Sequence, residues 1–401
     1  MTPVFCCGFE CGLLNAAGHF SSASGFSIDT TTKRTGSRSL KCLNVASGIY
    51  STCTYSPSFI LGGVARAYFY FSVLPNVDVD LIFMDANTGV QQGSARFVAS
   101  DSKIYARTNT NGATGVSVTT GAWYRIDMKY NVTANPNLCD VSVNGVACGQ
   151  ASQSAAAETI NDFRLCMPTA NSTMEVYIDD VIISNTLADY PIGAGYINHF
   201  IPTSDGTHNV AGAADFRRGD TTTDILNSTT TAYQLVDDVP MDDTTPDTDD
   251  HIRIVAPPNV TDYVECIYGA APGISTPTIA PRAVEVIAEF FAAGTGLSDE
   301  ILKLSDNGTV STVYDGTQIA GTTTGIYKRK HYATAPTGGA WTVVSGNGNF
   351  NDIRFRYGFA TDANPDKSLM CTMIEAEFQE IAAIPNKIKS INQAVNRSNT
   401  Y

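Results

Sequence analysis

Long apolar runs are absent: no window of this 401-residue chain approaches the roughly eighteen consecutive apolar residues that a membrane-spanning helix needs. Residues 1–15 hold a short apolar stretch, Pro3-Val4-Phe5, but no positive leader and no continuous hydrophobic segment of a signal peptide, so a soluble, unprocessed chain is expected. Basic residues are scarce: 25 Lys plus Arg against 39 Asp plus Glu give a net charge of -14. That balance argues against nucleic acid and membrane surfaces as partners and favours basic or neutral polar ones. The five histidines, at 19, 199, 208, 251 and 331, share no pairing motif. Gly-x-Ser-x-Gly elbows, P-loops and Gly-x-Gly-x-x-Gly turns before a helix are missing too, so hydrolase triads and nucleotide binding have no anchor.

Cysteine is not scarce, but its ten positions (6, 7, 11, 42, 53, 139, 148, 166, 266 and 371) lack the regular spacing of a disulfide framework. Reduced, buried thiols are expected. Val143-Asn144-Gly145-Val146 reads as a two-residue hairpin turn that sets Cys148 opposite Val141 and only diagonal to Cys139. Diagonal neighbours lie about 7–8 Å apart, too far for a relaxed disulfide. Cys6, Cys7, Cys11 and His19 make a poor zinc set, because adjacent cysteines do not easily share a tetrahedral ion and no Cys-x-x-Cys pair exists. The acidic run Asp237, Asp238, Asp242, Asp243, Asp247, Asp249 and Asp250 offers oxygen ligands to calcium without ordered ligand spacing, so a solvated loop is the preferred reading and no cofactor is expected.

At this length two or three domains are expected, and abundant Thr, Ser, Asn, Asp and Gly favour strands and turns. Strands are predicted at 39–45, 64–74, 79–85, 94–98, 103–107, 124–130, 140–143 and 175–183, the rhythm of an antiparallel sandwich. Arg66-Ala-Tyr68-Phe-Tyr70-Phe-Ser72 and Tyr124-Arg-Ile126-Asp-Met128-Lys-Tyr130 alternate clearly, burying one face and leaving a polar or aromatic face for solvent or a partner. Pro191, Gly193 and Gly195 mark a boundary after the last strong strand of this series. Beyond it, strands are predicted at 252–255, 263–268, 284–291, 301–304, 310–314, 326–332, 353–359 and 370–378.

Asn161-Asp-Phe-Arg164, Thr169-Ala-Asn171 and Met174 to Asp179 are echoed by Asn351-Asp-Ile-Arg354, Thr361-Asp-Ala-Asn364 and Met373 to Glu377. Both blocks close a half of the chain, an order consistent with two tandem copies of one sandwich topology. The fold class is therefore all-β: two antiparallel β-sandwich domains, 1–190 and 191–381, with a short arm or helix at 382–401. In that arm Ile384, Ile388, Ile391 and Val395 recur at helical spacing, Pro385 suits a first turn, and Lys387, Lys389 and Arg397 make it basic. Its two readings are a helix folded onto the second domain and an interface segment docking on a neighbouring subunit.

Among carboxylates, Glu375 and Glu377 alternate onto one face, and Glu175 with Asp179 forms a weaker pair, yet the three alternating acids usual in sandwich glycosidases are missing. Asp179-Asp180 reads as a structural strand-end pair. The six Asn-x-Ser/Thr sites, at Asn131, Asn171, Asn227, Asn259, Asn307 and Asn396, matter only for a secreted chain.

Gly8-Phe-Glu-Cys-Gly12, Arg34-Thr-Gly-Ser-Arg-Ser-Leu40, Gly121-Ala-Trp-Tyr-Arg125 and Val176-Tyr-Ile-Asp-Asp-Val-Ile182 occur in the order met in concanavalin A-like (laminin G-like) jelly rolls, which the first domain resembles. Tyr233-Gln-Leu-Val-Asp-Asp238 and Gly339-Ala-Trp341 leading into Asn351 resemble segments of uncharacterised structural proteins of tailed bacteriophages. The resemblance implies a non-enzymatic virion part, a capsid decoration, head-fibre or tail protein assembled in the host cytoplasm. Its implied partners are other virion proteins, further copies of itself and a surface glycan. The rival reading is a carbohydrate-binding adhesin or host-receptor module, which exposed Tyr and Trp on a sheet would favour; a glycan-degrading enzyme stands third.

Overall fold

A computed structural model describes residues 3–14, 20–21, 23–53, 62–86, 92–133, 135–154, 160–211, 215–238, 250–255, 262–292, 300–306, 310–314, 326–359 and 367–380. Strands in the first half are β1 (Pro3–Cys7), β2 (Phe26–Asp29), β3 (Ser39–Leu43), β4 (Ser51–Thr52), β5 (Gly62–Val73), β6 (Val79–Ala86), β7 (Gln92–Val98) and β8 (Lys103–Arg107). They continue with β9 (Val116–Ser117), β10 (Trp123–Asn131), β11 (Asn137–Val143), β12 (Val146–Ala147), β13 (Ala151–Gln153), β14 (Ile160–Pro168) and β15 (Glu175–Ser184). The second half holds β16 (Gly195–Asp205), β17 (Phe216–Arg218), β18 (Ile252–Ile254), β19 (Tyr263–Ala270) and β20 (Ala283–Ala292). It ends with β21 (Glu300–Asp306), β22 (Val310–Tyr314), β23 (Ile326–Tyr332), β24 (Ile353–Phe359) and β25 (Lys367–Gln379).

The first half is an antiparallel sandwich of a nine-stranded and a six-stranded sheet. In the larger sheet β15 has β5 along one edge and β1, then β3, along the other; β5 continues to β10, and β3 to β2. The second half repeats that pattern. There β25 has β20 along one edge and β16, then β18, along the other, while β20 continues to β23 and β18 to β17. The facing sheets also correspond, β4-β14-β6-β7 in one half and β19-β24-β21-β22 in the other. The halves differ at a corner, where β16 leaves β25 at Phe200 and pairs β19 with its remaining residues, joining the second half into one ten-stranded sheet, and in the strands β8, β9 and β11 to β13, which have no counterpart among the described residues of the second half. Both copies of the Asn-Asp-[Phe/Ile]-Arg block fall at corresponding strands, β14 and the start of β24, each followed by its closing strand.

Alternation explains the cores. On β5, Ala65, Ala67, Phe69 and Phe71 face the six-stranded sheet, and on β10 Ile126, Met128 and Tyr130 do the same. The second half buries a separate cluster that includes Phe200, Val286, Phe355 and Phe378. At the hairpin between β11 and β12, Asn144 and Gly145 take φ of 50° and 83°, the double positive φ that a type I′ turn demands. Cys148 N donates to Val141 O at 2.8 Å, the pairing the turn predicts, and Cys139 pairs Ala151 instead. All ten cysteines are free and buried.

The halves meet outer face to outer face, the nine-stranded sheet of the first against β16, β20 and β25 of the second. Cys6, Val64 and Ile182 pack on Ile192, Ile197 and Ala283, and Cys11 packs among Ile201, Ile287 and Met373. No described helix is long and apolar enough to cross a membrane.

Candidate functional site: an aromatic row beside a buried ionic junction

The outward residues of β5 are Arg66, Tyr68, Tyr70 and Ser72, and they face two different environments. Arg66 and Tyr68 lie under the second half, whereas Tyr70 is half-buried and Ser72 is exposed. Register places Trp123 of β10 and Tyr177 of β15 on either side of Tyr70, and Lys41 of β3 beside Tyr177. The result is one row across four adjacent strands. Ring centroids are 5.5 Å apart for Tyr70–Trp123 and 6.1 Å for Tyr70–Tyr177, and Lys41 Nζ lies 5.3 Å from the Tyr177 ring.

Glu175 anchors one side of the row. Lys41 Nζ lies 2.6 Å from its Oε1, Tyr177 OH donates to the same atom at 2.8 Å, and Ser72 supplies a further hydrogen bond. Those three donors pull its carboxyl down to about 2, so it is an anion throughout the ordinary pH range. Leu43 and Val73, its cross-strand neighbours, are 43% and 44% exposed. On the other side stands Arg125, half-buried, its Nε donating to Asp127 Oδ2 at 2.8 Å. The patch thus combines apolar ring surface with fixed hydrogen-bonding groups at its edges, the makeup of a site for a ligand that is apolar on one face and hydroxylated at its rim.

The remainder of the same face is an ionic junction. Glu377 of β25 receives Arg66 Nη1 at 2.7 Å and Arg282 Nε at 2.7 Å. Arg329 Nε lies 3.2 Å from Glu285 Oε2, and its Nη2 lies 3.2 Å from Glu375 Oε2. Glu375 Oε1 also accepts Glu10 N at 2.9 Å. Glu10 is itself cradled by Ser37 N at 3.0 and 2.9 Å and by Ser37 Oγ at 2.5 Å. Arg34 N donates to Asp179 Oδ2 at 2.8 Å, Arg34 Nη1 to Asp180 Oδ2 at 2.7 Å, and Thr35 Oγ1 to Asp180 Oδ1 at 2.6 Å. Burial drives the carboxyl of Asp179 well up, with Asp180 and Glu10 adding repulsion. Burial likewise raises Glu375, which Arg329 opposes and Glu10 reinforces.

The sequence-predicted residues therefore separate. Glu375 and Glu377 do share a face, but that face is packed against the first sandwich, and both are fully buried. Asp179 and Asp180 are structural, though not at a strand end: they sit inside β15 at a bulge, Asp180 having a φ of 53°. Glu175 is separated from Asp179 in surroundings as well as in sequence, since it belongs to the half-buried aromatic row, where Lys41 and Tyr177 hold it. The four jelly-roll segments all reach this one sheet face, through Glu10, Arg34 and Asp179 in the junction and Trp123 and Tyr177 in the row. Among the described residues no group of three or more His, Cys, Asp or Glu suits a metal ion. His19, Asp242, Asp243, Asp247 and Asp249 lie outside the described residues, as do Ile384, Lys387, Ile388, Lys389, Ile391, Val395 and Arg397 of the arm. Sequence reasoning missed the row itself. Its signal was the aromatic content of the outward face in residues 66–72, which needed strand pairing to meet Trp123 and Tyr177.

No protein-family model matches the chain, and no curated protein matches it. Among solved structures it is similar to the cellulose induced protein Cip1, at 16% identity and a TM-score of 0.36, over 45% of this chain and 97% of that one. Domain 4 of AbnA, an extracellular arabinanase from Geobacillus stearothermophilus in complex with arabinotriose, is similar at 12% identity and a TM-score of 0.35, over 45% and 91%. Trypanosoma rangeli sialidase follows at 14% identity and a TM-score of 0.31, over 42% of this chain and 30% of that one. Likeness at this level says nothing of ligand or activity.

Proposed function

We propose that this chain is a non-catalytic carbohydrate-binding protein, with the Trp123–Tyr70–Tyr177 row as its glycan platform. The single observation that carries this reading is that Tyr70 and Trp123 are partly open to solvent on a sheet face whose other half is buried. Sugar rings present C–H surfaces to aromatic faces while their hydroxyls seek fixed donors and acceptors, here Glu175, Lys41 and Arg125. The carboxylates that would serve glycoside hydrolysis are buried in ion pairs instead, which supports binding without turnover. The virion role implied by the sequence resemblance would place such a module on a particle surface, and the residues expected to dock it are those of 382–401.

A glycan array probed with the full chain and with a Trp123→Ala, Tyr70→Ala double variant tests the platform. Binding of defined glycans by the parent and its loss in the variant is the expected result. Equal binding by both proteins would sink this assignment.

A further inference from the structure

Strand β25 delivers the end of the described chain to the aromatic row. Its Glu377 meets Arg66 Nη1 at 2.7 Å, and beyond it Glu380 pairs with Arg34, whose guanidinium carbon lies 3.6 Å from the centre of the Tyr68 ring. Arg66, Tyr68 and Tyr70 are successive outward residues of β5, so between Glu377 and Glu380 the chain advances one step along that strand towards Tyr70. Glu380 N also donates to Ala194 O at 3.1 Å and Gly195 N to Tyr68 OH at 3.2 Å, which fastens this end beside the row. A single side-chain repeat of a strand, about 7 Å, separates Tyr68 from Tyr70.

The row offers uncovered apolar surface at that point. Tyr70 and Trp123 are half-buried, and Leu43 and Val73 at the border are exposed, two of the five large apolar side chains that are so among the described residues. The charges of the row are matched among themselves, Lys41 with Glu175 and Arg125 with Asp127. Such a face suits an apolar stripe and does not repel a basic one.

Residues 381–401 lie outside the described residues. Their sequence sets Ile384, Ile388, Ile391 and Val395 at helical spacing, a stripe about 16 Å long at helical rise. From Lys41 on β3 to Trp123 on β10 the row crosses three strand spacings, about 14 Å, so stripe and row match in length. Lys387, Lys389 and Arg397 give the segment a charge of +3 with no acid; taken from the total of -14, they leave -17 on residues 1–380, which draws the segment back onto the body of its own chain. We propose that segment 384–395 seats its Ile and Val stripe across the aromatic row of the same chain, covering Tyr70 and Trp123 and competing there with glycan. The competition rests on the carbohydrate reading above; the seating of the segment does not.

Ser390→Cys in the full chain accepts a nitroxide spin label at one position, because the ten native thiols are buried. The indole N–H signals of Trp123 and of Trp341, which lies in the second core, then report by NMR where the segment sits. Broadening of Trp123 well beyond that of Trp341, relieved by an Ile388→Asp, Ile391→Asp double variant, is the expected result. An unbroadened Trp123, or a Trp341 broadened more, overturns the proposal. Broadening of Trp123 in an isotope-labelled chain by an added spin-labelled one puts a second copy's segment there and overturns it too. On a titrated glycan array the Asp variant should bind about tenfold more tightly than the parent, as for a row covered about nine-tenths of the time. A seated segment with equal array binding by both proteins overturns the competition alone. A seated segment with no array binding by either keeps the seat and removes the platform; array binding that depends on Trp123 and Tyr70, without any broadening, does the reverse.

Discussion

Arg66 and Glu377 are 311 residues apart in sequence, yet Arg66 Nη1 lies 2.7 Å from Glu377 Oε1 with neither side chain exposed. Two ions removed from water need each other, since an uncompensated buried charge costs several kcal/mol. The pair, with Arg282 beside it, makes the contact between the two sandwiches a specific one.

Replacing Glu377 with Gln should therefore destabilise the protein by about 3–5 kcal/mol, because Arg66 would keep its charge and lose its counter-ion. The midpoint and slope of urea unfolding measure this, and a loss below about 1 kcal/mol would contradict it.

Gly36 has φ of 58°, and a Cβ there would run into the Glu10 carboxylate. Gly36→Ala should cost more than the roughly 1 kcal/mol of an ordinary left-handed glycine replacement, since Glu10 must also leave its donors at Ser37. Thermal unfolding of this variant beside Gly121→Ala, where a Cβ meets nothing, separates the two contributions.

Glu375 makes stability depend on pH in a defined direction. Its folded pKa lies above the unfolded one, so its contribution is complete below the unfolded value near 4.5 and is lost as pH rises through the folded one. Glu375→Gln does not titrate there. Its stability relative to the parent should improve as pH rises above about 4.5 and level off once the parent's Glu375 has ionised, as read by urea unfolding at a series of pH values.

Glu175 has the opposite sign. Depressed to about 2, it contributes fully above its unfolded pKa and fades only as pH falls towards 2. Glycan affinity at the aromatic row should stay constant between pH 7 and about pH 4, while Trp123→Ala should weaken it at least about tenfold, or roughly 1.4 kcal/mol. Isothermal titration at both pH values provides the check.

The ten thiols are buried, and burial pushes Cys139 up to about 12 and Cys148 up to about 11. A thiolate-specific reagent should titrate almost none of them in the native protein and all ten after denaturation. Rapid modification of even one thiol in the folded chain would contradict the placement of these residues.

Local periodicity carried much of the fold. The strands at 103–107, 310–314, 326–332 and 353–359 match their predicted ends, because each alternates and is bounded by turn residues. Strands β1 and β16 went unrecognised: Pro3–Cys7 buries four of its five residues and so does not alternate, and Gly195–Asp205 starts at a glycine beside a proline turn and bends at Phe200 to serve two neighbours. The echo of Asn161–Arg164 at Asn351–Arg354 was legible because corresponding strands keep corresponding residues, and it led to the repeated topology.

By itself the sequence determined which residues alternate, and hence that Arg66, Tyr68, Tyr70 and Ser72 share an outward face. Tertiary structure alone decided what that face does: the second sandwich covers Arg66 and Tyr68 and stops short of Tyr70. The same contact consumed Glu375 and Glu377 in ion pairs while Glu175 stayed open beside the rings. Period-two patterning specifies a face and carries no information about what packs on it, because a partner 311 residues away leaves no local trace.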